Sequence, residues 1–179
     1  MVGEIYESPT PDGKTEKKCR IVNCVNLMDV GKRIKSPMQT PDQIEYLKQM
    51  ILDYNGGADA YGNIVGVYID AGSGGGGVNI ADFLMPDWTD KAGVTHRGLI
   101  DKEFSAEYVK KFPNAVDKVH LMSPSAFKSI MYEALIEMLN QDKISFTASY
   151  DHKGYLTVFD VDQKIIDKET IRITAELKK

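Results

Sequence analysis

The sequence contains little of what marks zinc-binding, disulfide-bonded or histidine-ligated proteins. Its 179 residues include two cysteines and three histidines. Cys19 and Cys24 stand at an odd spacing in a strand-like segment, so their side chains are expected on opposite faces. That placement disfavours both a shared zinc ion and a mutual disulfide. The histidines (His96, His120 and His152) are scattered without ligand spacing, which disfavours a histidine metal site.

Long apolar runs and a basic charge excess are also missing. No segment approaches the roughly 18 to 20 apolar residues of a membrane span, and the N-terminus lacks the layout of a signal peptide. The net charge of −4 argues against a simple basic coat for nucleic acid, although an acidic site can carry a locally basic rim. We expect a cytosolic globular protein with a single domain over residues 1–179.

Hydrophobic patterning in the first half predicts an α/β or α+β domain with a mixed sheet. Residues 2–7 and 19–27 are rich in β-branched side chains and predict a hairpin. A helix is predicted with Thr40 as N-cap, Pro41 at its first position and Gly56 at its end. Residues 64–69 are apolar at almost every position, which is typical of a central strand covered on both faces.

The second half continues with mixed elements. Short helices are predicted at 78–85 and 105–112, a hairpin turning on 91–93, and a strand at 117–122. The longest apolar periodicity follows Ser123 and Pro124, and its stripe is expected to lie in the core. A strand–turn–strand unit is predicted from Ile144, with its turn at 151–154, and residues 167–179 begin like a helix. The apolar stripe of the helix that follows Ser123 and Pro124 comprises Phe127, Ile130, Met131, Ala134, Leu135, Met138 and Leu139.

The stretch GVYIDAGSGGGGVNIADFL, residues 66–84, combines an apolar strand, an aspartate and a glycine run. Glycine loses much conformational freedom on folding, so five glycines around one serine need a reason. The run could be a plain turn. It also satisfies the dinucleotide pattern G-x-G-x-x-G, although that pattern belongs in the first strand–helix turn of its fold. A Walker loop is excluded because no Gly-Lys-Ser/Thr closes the run.

A metal site accounts for both the aspartate and the glycines. Mg²⁺ and Mn²⁺ prefer carboxylate oxygens and keep substrate phosphates in their shell. Asp70 at a strand end would hold such an ion, the glycines would let a phosphate backbone approach, and the next helix would present its N-terminus to a phosphate.

Several segments resemble the C-terminal nuclease domain of tailed-bacteriophage terminase large subunits. They are VYIDAGSGGGGVNIADFL, HRGLID, residues 112–146 ending in ISF, and YDHKGY, and the resemblance runs from about Gly3 to the end. It implies a ribonuclease H-like fold, in which a mixed sheet is flanked by helices. It also implies cutting of concatemeric viral DNA during packaging, with two divalent metals (Mg²⁺ or Mn²⁺) held by an acidic cluster.

The resemblance assigns roles to individual residues. Asp70 matches the second acid of the family and would be catalytic as a metal ligand. Gly72, Gly74 and Gly75, with Ser73 between them, belong to the same motif and would leave room for DNA. Asp82 is a candidate supporting acid, for which a solvated helix position is the alternative. Lys128 is a candidate phosphate contact, for which ordinary exposure is the alternative.

The same resemblance implies that the chain is either an internal piece of such a domain or a diverged relative. The strand carrying the first acid would lie before Met1, and the last acid would follow Lys179. Asp101, Asp160 and Asp162 do not match those positions. The implied partners are double-stranded viral DNA, a terminase ATPase domain, the small terminase subunit and the portal, in the cytoplasm of an infected bacterium.

Two other classes of function remain open from the residues. One is a nucleotide- or phosphate-binding module without nuclease chemistry, and the other is an inactive interaction domain on the same scaffold. DNA contact is expected at three basic clusters, each of which can also be a solvated face. The clusters are Lys17, Lys18 and Arg20; Lys32, Arg33 and Lys35; and Lys110 with Lys111.

Overall fold

The computed structural model describes residues 1–27, 30, 38–72, 76–146, 148–150, 156–158 and 170–171. These residues form two compact units, one made of Met1–Val30 with Ser129–Lys179 and the other of Gly31–Lys128. Helices and strands both occur, and the strands form small sheets with parallel and antiparallel pairs, which confirms a mixed α/β composition. No helix in the described part of the chain is long and apolar enough to cross a membrane.

Four helices and twelve strands have bounds within these residues. The helices are α1 Thr40–Asn55, α2 Gly77–Leu84, α3 Ala106–Lys111 and α4 Lys128–Asn140. The strands are β1 Val2–Pro9, β2 Thr15–Asn23, β3 Val67–Asp70, β4 Trp88–Thr89, β5 Thr95–His96, β6 Leu99–Ile100, β7 Val116–Asp117, β8 Val119–Met122, β9 Ile144–Phe146, β10 Ala148–Tyr150, β11 Leu156–Val158 and β12 Thr170–Ile171.

The first unit is built on an N-terminal hairpin. β1 and β2 pair antiparallel, which confirms the predicted hairpin, and β9 adds to β2 in parallel. The connecting turn is shorter than predicted because Thr10 N donates to Lys14 O at 2.8 Å and closes it. Cys19 and Cys24 are both partly buried free thiols.

A second small sheet in this unit combines β10, β11 and β12, all antiparallel. The β10–β11 pair confirms the predicted hairpin, while its turn, Asp160 and Asp162 lie outside the described residues. The helix predicted for the final segment is wrong at Thr170–Ile171, because these two residues pair with β11. Both are β-branched, which favours a strand when a partner is present.

The apolar stripe of α4 is not in a core. No residue of α4 is buried, and Ile130 and Ile136 are 65% and 55% exposed. The predicted helix is therefore confirmed, and the prediction that its apolar stripe lies in the core is wrong. Periodicity shows that one face of a helix is apolar, but it does not show that the same chain covers that face.

Helix α1 begins one residue earlier than the sequence predicts. Its N-cap is Gln39, whose backbone N–H donates to the Asp42 carboxylate at 2.9 Å. Ile44 and Ile51 are buried, as the periodicity predicts, and Gly56 ends the helix with φ 58°. Glycine adopts that left-handed conformation without a steric penalty.

The core of the second unit lies against one face of the β3–β8 pair. Ile69 of β3 and Val119 of β8 are 9% and 1% exposed, and they pack with Ala81 and Leu84 of α2. The prediction that β3 is covered on both faces is wrong, since Tyr68 on the opposite face is 63% exposed. An unbroken apolar run hid this asymmetry, because tyrosine and valine tolerate half-buried strand positions equally well.

Short elements complete the second unit. The predicted hairpin is confirmed by β4 and β5, and β6 pairs in parallel with β7. Asp101 after β6 is 8% exposed, and its carboxylate accepts backbone N–H bonds from Glu103, Phe104 and Leu121 at 2.8–3.1 Å. Because Leu121 belongs to β8, this carboxylate ties the loop after β6 to the central pair.

Replacing Tyr61 by Phe tests the packing of this core. Tyr61 is 4% exposed and donates to Arg97 O at 2.6 Å. Burial, helped by the charge of Asp87, raises the pKa of Tyr61 to about 12. A raised folded-state pKa contributes stability below pH about 10 that is lost as the pH rises through about 12. At pH about 8, Tyr61→Phe should lower the unfolding free energy by about 1 kcal/mol.

Urea unfolding at pH about 8 and about 11.5 checks this expectation, since the deficit of Tyr61→Phe should shrink or reverse at the higher pH. Tyr68→Phe removes an exposed hydroxyl and is the matched control, with a change within about 0.5 kcal/mol. An equal deficit of Tyr61→Phe at both pH values would contradict the account.

Candidate metal site at the ends of two parallel strands

Asp70 lies where two parallel strands end side by side. β3 and β8 pair in register from Val67 opposite Val119 to Asp70 opposite Met122. Ala71 N then donates to Met122 O at 2.7 Å, so the two chains remain together for one more residue. Open α/β sheets bind ligands beyond such carboxyl ends. The position predicted for Asp70 from the sequence is therefore confirmed.

The Asp70 side chain is exposed, and one of its two carboxylate oxygens accepts a hydrogen bond. Its Oδ1 accepts a hydrogen bond from Gly72 N at 2.9 Å, which forms a tight turn directly after the strand. Among the described residues, no donor contacts Oδ2. One oxygen thus fixes the side chain, while the other accepts no hydrogen bond from the described residues and is available to a cation.

Position 77 requires a glycine because the chain packs tightly there against the backbone of Asp70, and not because a ligand approaches. A Cβ there would lie 1.9 Å from the backbone oxygen of Asp70 and 3.0 Å from Cγ2 of Ile69. The first residue of α2 therefore rests directly on the end of β3. The sequence pattern predicts room for a phosphate backbone at the glycine run and does not predict this contact. The sequence did contain a signal for this packing, because Gly77, the last glycine of the run, directly precedes the apolar residues of a predicted helix.

The other glycines of the motif differ from Gly77. A Cβ on Gly72 would lie 3.0 Å from Oδ1 of Asp70, so this glycine accommodates the turn that holds the carboxylate. Gly76 has open space around it and φ −66°. Ser73, Gly74 and Gly75 lie outside the described residues, and their predicted role stays a prediction.

The weaker candidates occupy exposed positions. Asp82 lies on the exposed side of α2, beside the buried Ala81, and no described contact joins it to Asp70. Lys128 is the first residue of α4 and is also exposed. The position of Asp82 fits the solvated helix residue that the sequence analysis considered.

The residues present fit one hydrated ion better than two ions. Mg²⁺ is often held by one or two carboxylates together with water and substrate phosphate. Asp70 supplies one such carboxylate at an accessible edge. In the part of the chain that the structure describes, no three His, Cys, Asp or Glu residues form a group that could hold a metal.

The histidine of the β4–β5 hairpin has a structural partner. His96 Nε2 lies 2.8 Å from Oδ2 of Asp90, while Oδ1 of Asp90 accepts the N–H groups of Ala92 and Val94 at 2.9 Å. The hydrogen bond from His96, with that from Val94, holds the pKa of the Asp90 carboxyl below its ordinary value. These bonds close the hairpin turn. A shallow cleft beside this hairpin, lined by Lys48 and Trp88, does not include Asp70.

The basic clusters predicted to contact DNA are partly neutralised. Lys18 lies 3.2 Å from Glu16, and Arg20 lies 3.6 Å from Glu4 and stacks over Tyr6. The cluster at residues 32–35 falls outside the described residues. Lys110 and Lys111 end α3, where cations also interact favourably with the helix dipole.

Tyr68 and His120 are the residues at this site that the sequence analysis missed. They are direct partners across β3 and β8, and their rings stack with centroids 4.8 Å apart at 25°. Alternation along β3 places Tyr68 on the same face as Asp70. The signal in the sequence was the alternation Gly66, Tyr68, Asp70, which a uniformly apolar interpretation of the strand obscured.

Comparisons with protein-family models, with curated proteins and with solved structures gave no match for this chain.

Adjacent glycines provide a sharp test of the α2 contact. Gly77→Ala should lower the unfolding free energy by about 2 kcal/mol or more, because its Cβ would collide with the backbone of Asp70. Gly76→Ala meets no atom within 4 Å and is the matched control, expected within about 0.5 kcal/mol of the original protein. Urea unfolding of the two variants gives the comparison. Equal stability of both variants would show that α2 does not rest on the end of β3.

Proposed function

We propose that this chain is a metal-dependent endodeoxyribonuclease unit of the terminase large-subunit type, on a ribonuclease H-like scaffold, which cuts concatemeric viral DNA during genome packaging. The observation that carries the proposal is the exposed Asp70 carboxylate at the joint end of two parallel strands. The resemblance of residues 67–84 and 112–146 to terminase nuclease segments supports it. The small mixed sheets of the chain are compatible with the proposal.

Asp70 has the position and freedom that a metal ligand needs. Gly72 N donates to Oδ1, so the carboxylate is oriented before any ion binds, and the residue as a whole is exposed. A divalent ion bound there would polarise a phosphodiester and lower the pKa of its bound water. The first turn of α2 contains no acidic residue and begins against the backbone of Asp70, and a helix N-terminus favours an incoming phosphate.

The remaining parts of the proposal concern cofactors and partners. Two Mg²⁺ or Mn²⁺ ions would require carboxylates beyond Asp70, and Asp82 is the proposed supporting acid. The proposed partners are double-stranded viral DNA, a terminase ATPase domain, the small terminase subunit and the portal. The proposed setting is the cytoplasm of an infected bacterium. These assignments rest on the sequence resemblance.

A phosphate-binding module without nuclease chemistry is the second candidate. The feature that favours it is the N-terminus of α2, where Gly76 provides no side-chain cap and the first backbone N–H groups have no acceptor within the helix. Such a module would bind phosphate groups without a metal, and its binding would survive loss of the Asp70 charge. An inactive interaction domain would show no metal effect on DNA or partner binding.

Asp70→Asn should abolish Mn²⁺-dependent plasmid cutting, because the amide cannot replace the charge that holds the ion. A loss of at least about a hundredfold in rate is expected, measured as conversion of supercoiled plasmid. Glu107→Gln removes another exposed carboxylate, on α3, and should leave the rate unchanged. Asp82→Asn should give a smaller loss than Asp70→Asn if Asp82 is a supporting acid.

Cutting that persists in Asp70→Asn would refute the role of this residue. Absence of cutting in the original protein, together with metal-independent phosphate binding, would favour the second candidate.

A further inference from the structure

The exposed face of the β3–β8 pair carries an unusual set of side chains. Strand alternation puts Val67, Ile69, Val119 and Leu121 on the core side. The opposite face carries Tyr68 and Asp70 of β3 with His120 and Met122 of β8. Continued by one residue before each strand, the same alternation places Gly66 and Lys118 on this face. The site proposed for the metal therefore shares a surface with two aromatic rings and a cation.

The two rings form a stacked pair that is open to solvent. Tyr68 is 63% exposed, and its ring lies 4.8 Å from that of His120 at 25°. The Tyr68 hydroxyl and the His120 ring nitrogens have no hydrogen-bond partner among the described residues. No local polar contact thus accounts for an exposed tyrosine at this position, while its ring remains available for further stacking.

Gly66 determines which way the rings lean. A Cβ at Gly66 would lie 2.8 Å from Cδ2 of His120 and 3.1 Å from Cε2 of Tyr68. The rings therefore lie over the bare backbone of Gly66, on the side away from Asp70. This arrangement leaves the carboxylate uncovered. Tyr68 and Asp70 are two residues apart, roughly 6.5 Å along the strand.

The same face also offers a positive charge. The ammonium group of Lys118 donates to Ile64 O at 2.5 Å, and no carboxylate pairs with it in the described structure. A carbonyl partner leaves the charge of Lys118 uncompensated. An anionic backbone that crosses this face would meet that charge beside the ring pair.

We propose that the ring pair Tyr68–His120 stacks an unpaired base of a DNA strand whose backbone passes Lys118. This inference rests on the proposed function and deepens it by naming the form of the DNA. Bases stack on exposed aromatic rings regardless of sequence, while a nearby cation attracts the phosphates. Bases inside an intact duplex already stack on each other, so the face selects single-stranded or locally opened DNA. Tyr68 and His120 would contact the base and hold the strand in place, and they would take no part in bond cleavage.

Binding of labelled oligothymidine to the full chain in EDTA tests the inference without any metal chemistry. Tyr68→Thr keeps a β-branched residue in the strand but removes the ring, and it should weaken binding about tenfold. Tyr68→Phe keeps the ring and should bind within about twofold of the original protein. Phe104→Thr removes a half-exposed ring from another stacked pair, Phe104 with Tyr108, and is the matched control.

Two further measurements separate stacking from a loss of structure. A strand containing 2-aminopurine should be quenched by the original protein and by Tyr68→Phe, but not by Tyr68→Thr. Lys118→Gln keeps a donor for Ile64 O and should lower the slope of log binding constant against log salt by about 0.7. Blunt duplex of the same length should bind more weakly than the single strand.

The outcomes distinguish this inference from the proposed nuclease function. Tyr68→Thr binding as tightly as the original protein, equal loss in Phe104→Thr, or no binding of the single strand in EDTA would overturn it, whatever the plasmid assay shows. Ring-dependent binding supports it even if Asp70→Asn has no effect on cutting, in which case only the nuclease proposal fails.

Discussion

The parallel pairing of β3 with β8 is the constraint on which the site depends. Ile69 and Val119 anchor the pair to the core from one side, and each buried aliphatic side chain is worth about 1.5–3 kcal/mol. Asp101 holds β8 from its free edge through Leu121 N at 2.8 Å. Because both strands run in the same direction, they end together. Asp70 therefore lies at the paired end of two strands rather than within a loop.

The glycine run serves two different physical needs. Gly77 allows α2 to touch the backbone of Asp70, where any side chain would collide. Gly72 allows the chain to turn so that its N–H reaches the Asp70 carboxylate at 2.9 Å. The strand end, the carboxylate and the start of α2 thus lie in close contact, with no space for a side chain at Gly77 and little at Gly72. A site built this way is oriented before a ligand arrives.

Local sequence rules predicted most of the elements but not what covers them. The β1–β2 hairpin, α1 with its Gly56 end and the strand carrying Asp70 followed from turn chemistry and periodicity, because those signals are contained in a few neighbouring residues. The burial of α4 and of both faces of β3 was predicted wrongly. Burial depends on distant parts of the chain, which periodicity does not specify. For the same reason, the sequence indicated Asp70 but not its neighbours Tyr68 and His120, which only strand pairing brings together.

Anomalous diffraction from crystals grown with Mn²⁺ and a short DNA strand would test the central claim most directly. Asp70 as a metal ligand predicts an anomalous peak about 2.1 Å from its carboxylate oxygen, with a phosphate oxygen in the same coordination shell. Bound DNA with no such peak at Asp70, or a peak held by other residues, would contradict the account.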